Sequence, residues 1–152
     1  MTDDPEDIDI PYMLLADAAE SVGGKLYVLG GGWDRMMVPA LPGHAAKPFA
    51  MGVGITVPYP HTNRKFALSI ELIDGDGNQV GEVLSVELEA GRPPGMLAGT
   101  SQSIPLAINI NPEFPEAGPY TFVASIDGDI RKKASFFIQS MQHMQMMPPG
   151  VA

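Results

Sequence analysis

The sequence has no cysteine and only nine basic residues against 18 acidic ones, and each shortage excludes a class of protein. Without thiols, a disulfide framework, a cysteine nucleophile and a thiolate metal site are all excluded. A formal net charge of −9 leaves too few Lys and Arg side chains to bind nucleic-acid phosphates or an anionic membrane surface. The densest basic group is Arg131, Lys132 and Lys133, which we interpret as a solvated strand start. We therefore expect no nucleic-acid partner and no membrane partner.

The chain also lacks the features of a secreted or membrane-spanning protein. No apolar run approaches the roughly 18 residues that a transmembrane helix needs. A secretory signal starts with basic residues and continues with an apolar stretch, whereas this chain starts with five acids in ten residues. We predict a cytoplasmic protein of three parts: an acidic tail over 1–9, one domain over 10–139 and a Met/Pro-rich tail over 140–152.

Glycine (17) and proline (15) are frequent, and they separate short apolar runs. In residues 65–72, every second side chain is apolar: Phe66, Leu68, Ile70 and Leu72. Because side chains alternate across a strand, this pattern predicts a half-buried strand. Similar runs predict further strands in segments 26–29, 49–57, 84–89, 104–110, 120–126 and 134–138. Seven to eight short strands are typical of two packed antiparallel sheets, so we predict an all-β sandwich.

Turn and edge signals predict how these strands connect. Asp-Gly pairs at 74–75 and 127–128 predict tight turns, because glycine readily adopts a positive φ. Pro105 lacks an N–H group, so its strand is expected at a sheet edge. The uncharged segment 49–57 is either a central strand covered on both faces or an edge used for association. Residues 12–22 combine helix-favouring residues with alternating apolar ones, so propensity alone leaves helix and strand open.

Five phrases together resemble a known protein family. They are LADAA at 15–19, GKLYVLGGGWD at 24–34, GRPPG at 91–95, FPEAGPYTF at 114–122 and IDG at 126–128. Over about residues 10–139 the chain resembles a family of small uncharacterised bacterial proteins, frequent in actinobacteria, with an immunoglobulin-like sandwich. The resemblance implies a single antiparallel immunoglobulin-like β-sandwich and a strand at 12–19 that pairs with GKLYVLGG. It implies no activity, because the family has none established.

The glycine-rich phrase before Trp33 allows two interpretations. Gly30, Gly31 and Gly32 can form a bulge at a strand end, with Trp33 capping the core. Alternatively, the glycines let a ligand or partner approach the backbone, where Asp34 contacts it and Trp33 is a stacking platform. The phrase lacks the helix of a dinucleotide site and the Gly-Lys-Ser/Thr of a P-loop. We favour the structural interpretation.

Two further segments offer candidate contacts. Arg92 stands in a stiff Gly-Arg-Pro-Pro-Gly loop, which is either a plain connection or a site that binds a carboxylate through two hydrogen bonds. The thioether and imidazole groups of the C-terminal tail can bind Cu(I), or the tail is flexible or docks on a neighbouring subunit. Its candidate residues are Met141, His143, Met144, Met146 and Met147. We favour the interpretations without copper and predict no metal site and no cofactor.

The distribution of potential catalytic groups favours a protein that is not an enzyme. His44, His61 and His143 lie in predicted loops or in the tail, and none belongs to a metal-spaced pair or adjoins a serine nucleophile. We predict a structural or protein-interaction module that acts in an assembly, as a homo-oligomer or with a protein partner. The alternative is a small-ligand or carbohydrate-binding module that uses Trp33, Tyr59 and nearby loops. A deep pocket at Trp33 would favour that alternative, and a flat apolar patch or a shared edge strand would favour the module.

Overall fold

A computed structural model describes residues 7–141 of the chain. They form nine strands and one short 3-10 turn: β1 (Asp9–Val22), β2 (Lys25–Gly31), β3 (Arg35–Val38), β4 (Phe49–Val57), the turn Tyr59–His61, β5 (Lys65–Asp74), β6 (Leu84–Glu89), β7 (Gln102–Ile110), β8 (Gly118–Ile126) and β9 (Asp129–Ser140). The predicted all-β sandwich is confirmed, with nine strands where seven to eight were expected. The strand missing from the prediction is β3, whose four residues are too few to show an alternation.

The strands lie in two sheets with the orders β2-β1-β4-β7 and β3-β9-β8-β5-β6. The pairings between neighbouring strands are antiparallel, with the exception of β3 and β9. These two strands run parallel, from the pair Arg35 and Phe137 to the pair Val38 and Ser140. The expectation of purely antiparallel sheets is therefore corrected at this pair. It arises where the chain leaves the first sheet after β2 and joins the edge of the second sheet.

β4 lies in the middle of the first sheet, between β1 and β7, and is covered on both faces. Its inward side chains are at most 4% exposed and comprise Phe49, Met51, Val53, Ile55 and Val57. On the outer face, Gly52 and Gly54 leave room for the side chains of Leu26 and Tyr12. A Cβ atom at Gly52 would lie 2.8 Å from Leu26 Cδ2, well inside the contact distance of packed carbon atoms. The uncharged segment 49–57 is therefore a central strand and not an association edge.

A hairpin arm, residues 17–31, extends from the first sheet. Beyond Ala16, β1 no longer pairs with β4 and pairs with β2 alone. The arm turns at Gly23 and Gly24, whose φ angles of 59° and 75° match the left-handed turns that suit β-hairpins. The ambiguous segment 12–22 is a strand throughout, which the family resemblance implied for residues 12–19.

The arm folds back over the outer face of the first sheet. Its Leu26 side chain lies against Gly52 of β4. Near the tip, Ser21 Oγ donates a hydrogen bond of 2.8 Å to the carbonyl of Pro105 in β7. β7 is an edge strand, as the missing N–H of Pro105 predicted. The arm thus bridges β4 and β7 from outside.

The sandwich extends slightly beyond the predicted domain limits. Ile8 is 6% exposed and belongs to the core, and β9 continues to Ser140. Arg131 ties this N-terminal stretch to β9, because its Nε donates a 2.9 Å hydrogen bond to the carbonyl of Ile8. Its Nη2 also lies 3.9 Å from the carboxylate of Asp7. The predicted solvated position of Arg131 is wrong: its side chain is only 9% exposed because it contacts the residues just before β1 instead of entering solvent.

Candidate functional site

Trp33 closes one end of the core. Its ring meets the ring of Phe49 edge-on at a centroid distance of 5.5 Å and that of Phe136 at 6.4 Å. Edge-to-face pairs of this kind contribute about 0.5–1.5 kcal/mol each beyond the buried area. The indole Nε1 is buried and has no hydrogen-bond partner among residues 7–141. The structure therefore places Trp33 in a packing position between β4 and β9.

The three glycines before Trp33 shape the passage from β2 to β3. Gly30 and Gly32 have φ angles of 62° and 86°, which glycine adopts without a steric penalty. A Cβ atom at Gly31 would lie 2.5 Å from Cγ1 of Val28, so a larger residue at this position would displace the Val28 side chain. The N–H of Gly32 donates a 2.7 Å hydrogen bond to the carbonyl of Leu15. Backbone conformation explains glycine at positions 30 and 32, and close packing explains it at position 31.

Asp34 is exposed and begins the approach to the second sheet. Its carbonyl accepts a 2.8 Å hydrogen bond from the N–H of Phe137, immediately before β3 pairs with β9. The backbone of Asp34 therefore helps to fix the parallel pair, and its side chain is left at the surface.

Arg92 and Tyr59 are brought together at the opposite end of β4. The guanidinium carbon lies 4.0 Å from the centroid of the Tyr59 ring. Arg92 Nε donates a 2.6 Å hydrogen bond to Thr62 Oγ1, and Nη2 donates one of 3.2 Å to the carbonyl of Tyr59. These contacts fasten the 91–95 loop to the 3-10 turn.

Trp33 and Tyr59 do not share one site. Trp33 packs on Phe49, the first residue of β4, whereas Tyr59 follows Val57, the last. At about 3.3 Å per residue, the strand separates its two ends by roughly 26 Å. A binding site that combines both aromatic residues is therefore not formed in this structure.

Tyr120 forms a corner that links β8 to the segment before it. Its hydroxyl donates a 2.6 Å hydrogen bond to the carbonyl of Glu116 and accepts one of 3.3 Å from the N–H of Glu116. The side chain is 2% exposed and its ring lies 5.1 Å from that of Phe114. Burial raises the pKa of this hydroxyl, and the negative charges of Glu116 and Asp74 raise it further, against the lowering effect of the hydrogen bond to Glu116.

The hairpin arm carries an exposed apolar surface. Leu29 is 73% exposed, Tyr27 is 56% exposed and Val22 is 52% exposed. Tyr27 and Leu29 are two residues apart on β2, so they project from the same face of the arm. Beside them lies a depression of about 610 Å³ that reaches Asn109 of β7. In the described part of the chain, no strand pairs with the second edge of β2.

The remaining candidates lie at the C-terminal end. Met141 is 44% exposed, and His143, Met144, Met146 and Met147 lie outside the described residues. Within residues 7–141, no group of three His, Asp or Glu side chains could hold a metal ion. In the same span, no helix is long and apolar enough to cross a membrane.

Two packed sheets and a corner tyrosine that bonds to the backbone upstream of its strand define an immunoglobulin-like β-sandwich. Residues 11–139 match a family of unknown function, DUF6941, and the chain belongs to this family. The expected resemblance to an uncharacterised family is confirmed to that extent, and its frequency in actinobacteria stays a prediction. No curated protein sequence matches the chain significantly.

The chain is also similar to solved structures. One is the alkylpurine DNA glycosylase AlkC of Pseudomonas fluorescens bound to DNA containing an abasic site analog, at 12% identity and a TM-score of 0.45. This match covers 87% of the chain and only 30% of the glycosylase chain. Another is an immunoglobulin-like protein from Pseudomonas aeruginosa, at 13% identity and a TM-score of 0.38, with 88% of the chain and 97% of that protein covered. Neither similarity bears on function.

Proposed function

We propose that this domain is a non-catalytic protein-interaction module that pairs with a second copy of itself through the hairpin arm. The observation that carries this proposal is the exposure of Tyr27 and Leu29, at 56% and 73%, on a strand whose second edge has no partner in the described chain. Unpaired edge strands invite pairing, and proteins usually protect them with several charges, prolines or a covering segment. Here Lys25 is the one charged residue of β2.

The distribution of charge favours a second copy as the partner. Two molecules with a formal net charge of −9 repel each other over most of their surfaces. The arm carries two acidic residues, Asp17 and Glu20, and one basic residue, Lys25, so its formal net charge is −1. Its part from residue 21 to residue 31 carries Lys25 alone, so two copies repel each other less there than over most of their surfaces.

The shape of the arm is also suited to self-association. Tyr27 and Leu29 are exposed, and they also line the depression of about 610 Å³. A twofold axis brings the same patch of both molecules together, so each copy supplies a protruding element and a recess. Non-catalytic action is further supported by Arg92 and Tyr120, whose polar groups are engaged in holding loops in place.

The test is light scattering coupled to size-exclusion chromatography on the full chain. We expect a mass of twice the 16.2 kDa of one chain, and a monomer for Leu29→Lys, because a lysine cannot be buried cheaply at a paired surface. The matched control is Leu97→Lys, since Leu97 is 78% exposed in a loop outside the arm and should leave the dimer intact. Added salt should favour the dimer by screening the like charges.

Two outcomes would reject the proposal. One is a monomeric mass for the unchanged chain at every concentration and salt level tested. The other is a dimer that survives Leu29→Lys but dissociates when Met144, Met146 and Met147 are replaced by Ser, which would assign the contact to the tail. Pull-down from native lysate with Leu29→Lys as the comparison then shows whether another protein binds at the arm instead.

A cytoplasmic location is part of the same proposal. It is supported by the acidic composition and the absence of cysteine from all 152 residues. Fractionation of cells that express the unmodified chain tests it, and recovery in the secreted or membrane fraction would contradict it.

A further inference from the structure

A second candidate site lies between the two sheets. A cavity of about 670 Å³ opens where β7 of the first sheet and β6 of the second are both edge strands. Its floor consists of buried core side chains, among them Met51 and Phe122, and Leu84 and Ile108 form its walls. The volume falls in the range of about 300–1,000 Å³ that is typical of sites for small molecules.

Strand β6, which contributes Leu84 to this cavity, leaves inward apolar side chains uncovered. Leu84 and Val86 of β6 pair with Ile70 and Leu68 of β5, whose side chains belong to the core. Directly opposite residues of two strands point to the same face, so Leu84 and Val86 are directed into the sandwich. Nevertheless they are 42% and 37% exposed. The two sheets therefore separate at this margin, and an apolar molecule placed there would remove apolar surface from water.

The mouth of the cavity is negatively charged. Asp74, Glu82 and Glu113 line it, and none of the described lining residues is basic. Asp74 is held in position because its Oδ1 accepts hydrogen bonds of 2.9 Å from the N–H groups of Asp76 and Asn78. Glu82 and Glu113 come from separate connections and are exposed. Charges of one sign at the mouth of a low-dielectric cleft focus its potential, which here favours a cation.

We propose that this cavity binds a small amphiphilic cation, a molecule with an apolar body and one ammonium group. The apolar body lies between Leu84 and Ile108 and covers the core side chains of the floor. The ammonium group stays at the mouth, within reach of the carboxylates. An anion with the same body meets repulsion at the mouth, so the site discriminates by charge as well as by polarity. The site lies at the β7 margin of the first sheet, apart from the free edge of β2.

Isothermal titration calorimetry of the full chain tests this proposal with three probes of equal chain length: decyltrimethylammonium, decanol and decanoate, each below its aggregation concentration. We expect saturable binding of one decyltrimethylammonium per chain, weaker binding of decanol and no binding of decanoate. The double variant Glu82→Gln/Glu113→Gln should weaken binding of the cation by about tenfold, as expected for the loss of two partly exposed charge contacts. Leu84→Trp should fill the cavity and reduce binding of both decyltrimethylammonium and decanol.

Two controls distinguish a site from general attraction to an acidic protein. Glu89→Gln/Asp129→Asn also removes two exposed negative charges, but neither residue lines the cavity, so affinity should stay within about twofold. Leu97→Trp adds an indole at an exposed loop position and should leave binding unchanged. Thermal unfolding of each variant shows that it is folded. Equal affinity for the cation and decanoate, equal weakening by the two charge pairs, or no saturable binding of the cation would overturn the proposal.

Discussion

Replacing Tyr120 with Phe removes one oxygen atom from a buried corner and leaves the ring in place. The lost hydroxyl donates to the carbonyl of Glu116 at 2.6 Å and accepts from its N–H at 3.3 Å, in a side chain that is 2% exposed. A neutral hydrogen bond contributes about 0.5–1.5 kcal/mol net. Because Glu116 is exposed, water can replace the hydroxyl at its backbone. We therefore expect the free energy of unfolding to fall by about 1–2 kcal/mol, near the lower half of the range for two lost bonds.

Urea unfolding and differential scanning calorimetry measure this change. For a domain of this size, about 2–4 °C of melting midpoint corresponds to each kcal/mol, so the midpoint should fall by about 2–8 °C. Tyr12→Phe is the control, because Tyr12 is 38% exposed and lies outside the arm. An unchanged midpoint for Tyr120→Phe, or an equal loss for Tyr12→Phe, would refute the assignment of the corner as a stabilising element.

The same variant predicts a difference at alkaline pH. Burial raises the pKa of the Tyr120 hydroxyl above its ordinary value of 10.0, so the unfolded chain loses this proton at a lower pH than the folded chain. Between the two pKa values the folded state binds more protons, and stability therefore falls as the pH rises above about 10. Tyr120→Phe has no such proton. The gap in unfolding free energy between the unchanged chain and the variant should shrink from pH 9 to pH 11, and a constant gap would contradict the pKa shift.

Two further predictions concern the loops that the sequence singled out. Gly31→Val should destabilise by about 1–3 kcal/mol in urea, because its Cβ meets Cγ1 of Val28, and Val28→Ala should recover part of that loss; the absence of any recovery would place the strain elsewhere. Arg92→Ala should cost about 1–2 kcal/mol, since the contacts to the Tyr59 ring and to Thr62 both disappear. Arg92→Lys should lose most of the same energy because it lacks Nε, and an unchanged urea midpoint for Arg92→Ala would contradict this role.

The long strands could be predicted from the sequence because each has one face in the core. The alternating apolar side chains of residues 65–72 are the core residues of β5, each at most 4% exposed. β3 could not be predicted in this way. It is four residues long, contains adjacent Met36 and Met37, and pairs with the last strand of the domain, so no local pattern reports its partner.

The hairpin arm shows a second limit of local patterns. Alternation in residues 12–22 is compatible with a strand, but it does not indicate that β1 leaves the sheet after Ala16. The reason lies in another strand, where Gly52 and Gly54 leave an outer surface on which Leu26 and Tyr12 can pack. The sequence shows that Gly52 and Gly54 are small residues. It does not show which side chains pack on them, because that depends on the tertiary fold.

The candidate cavity could not be predicted either, because it depends on where the first sheet ends. Alternation correctly predicts that Leu84 points inward, but its exposure depends on whether the opposite sheet extends that far. The first sheet ends at β7 on this side, and β6 is the outermost strand of the second sheet. Leu84 is therefore 42% exposed although it points into the sandwich. β2 lies at the other edge of the first sheet, beyond β1, so the cavity at the β6 margin and the exposed side chains of the arm have separate structural origins.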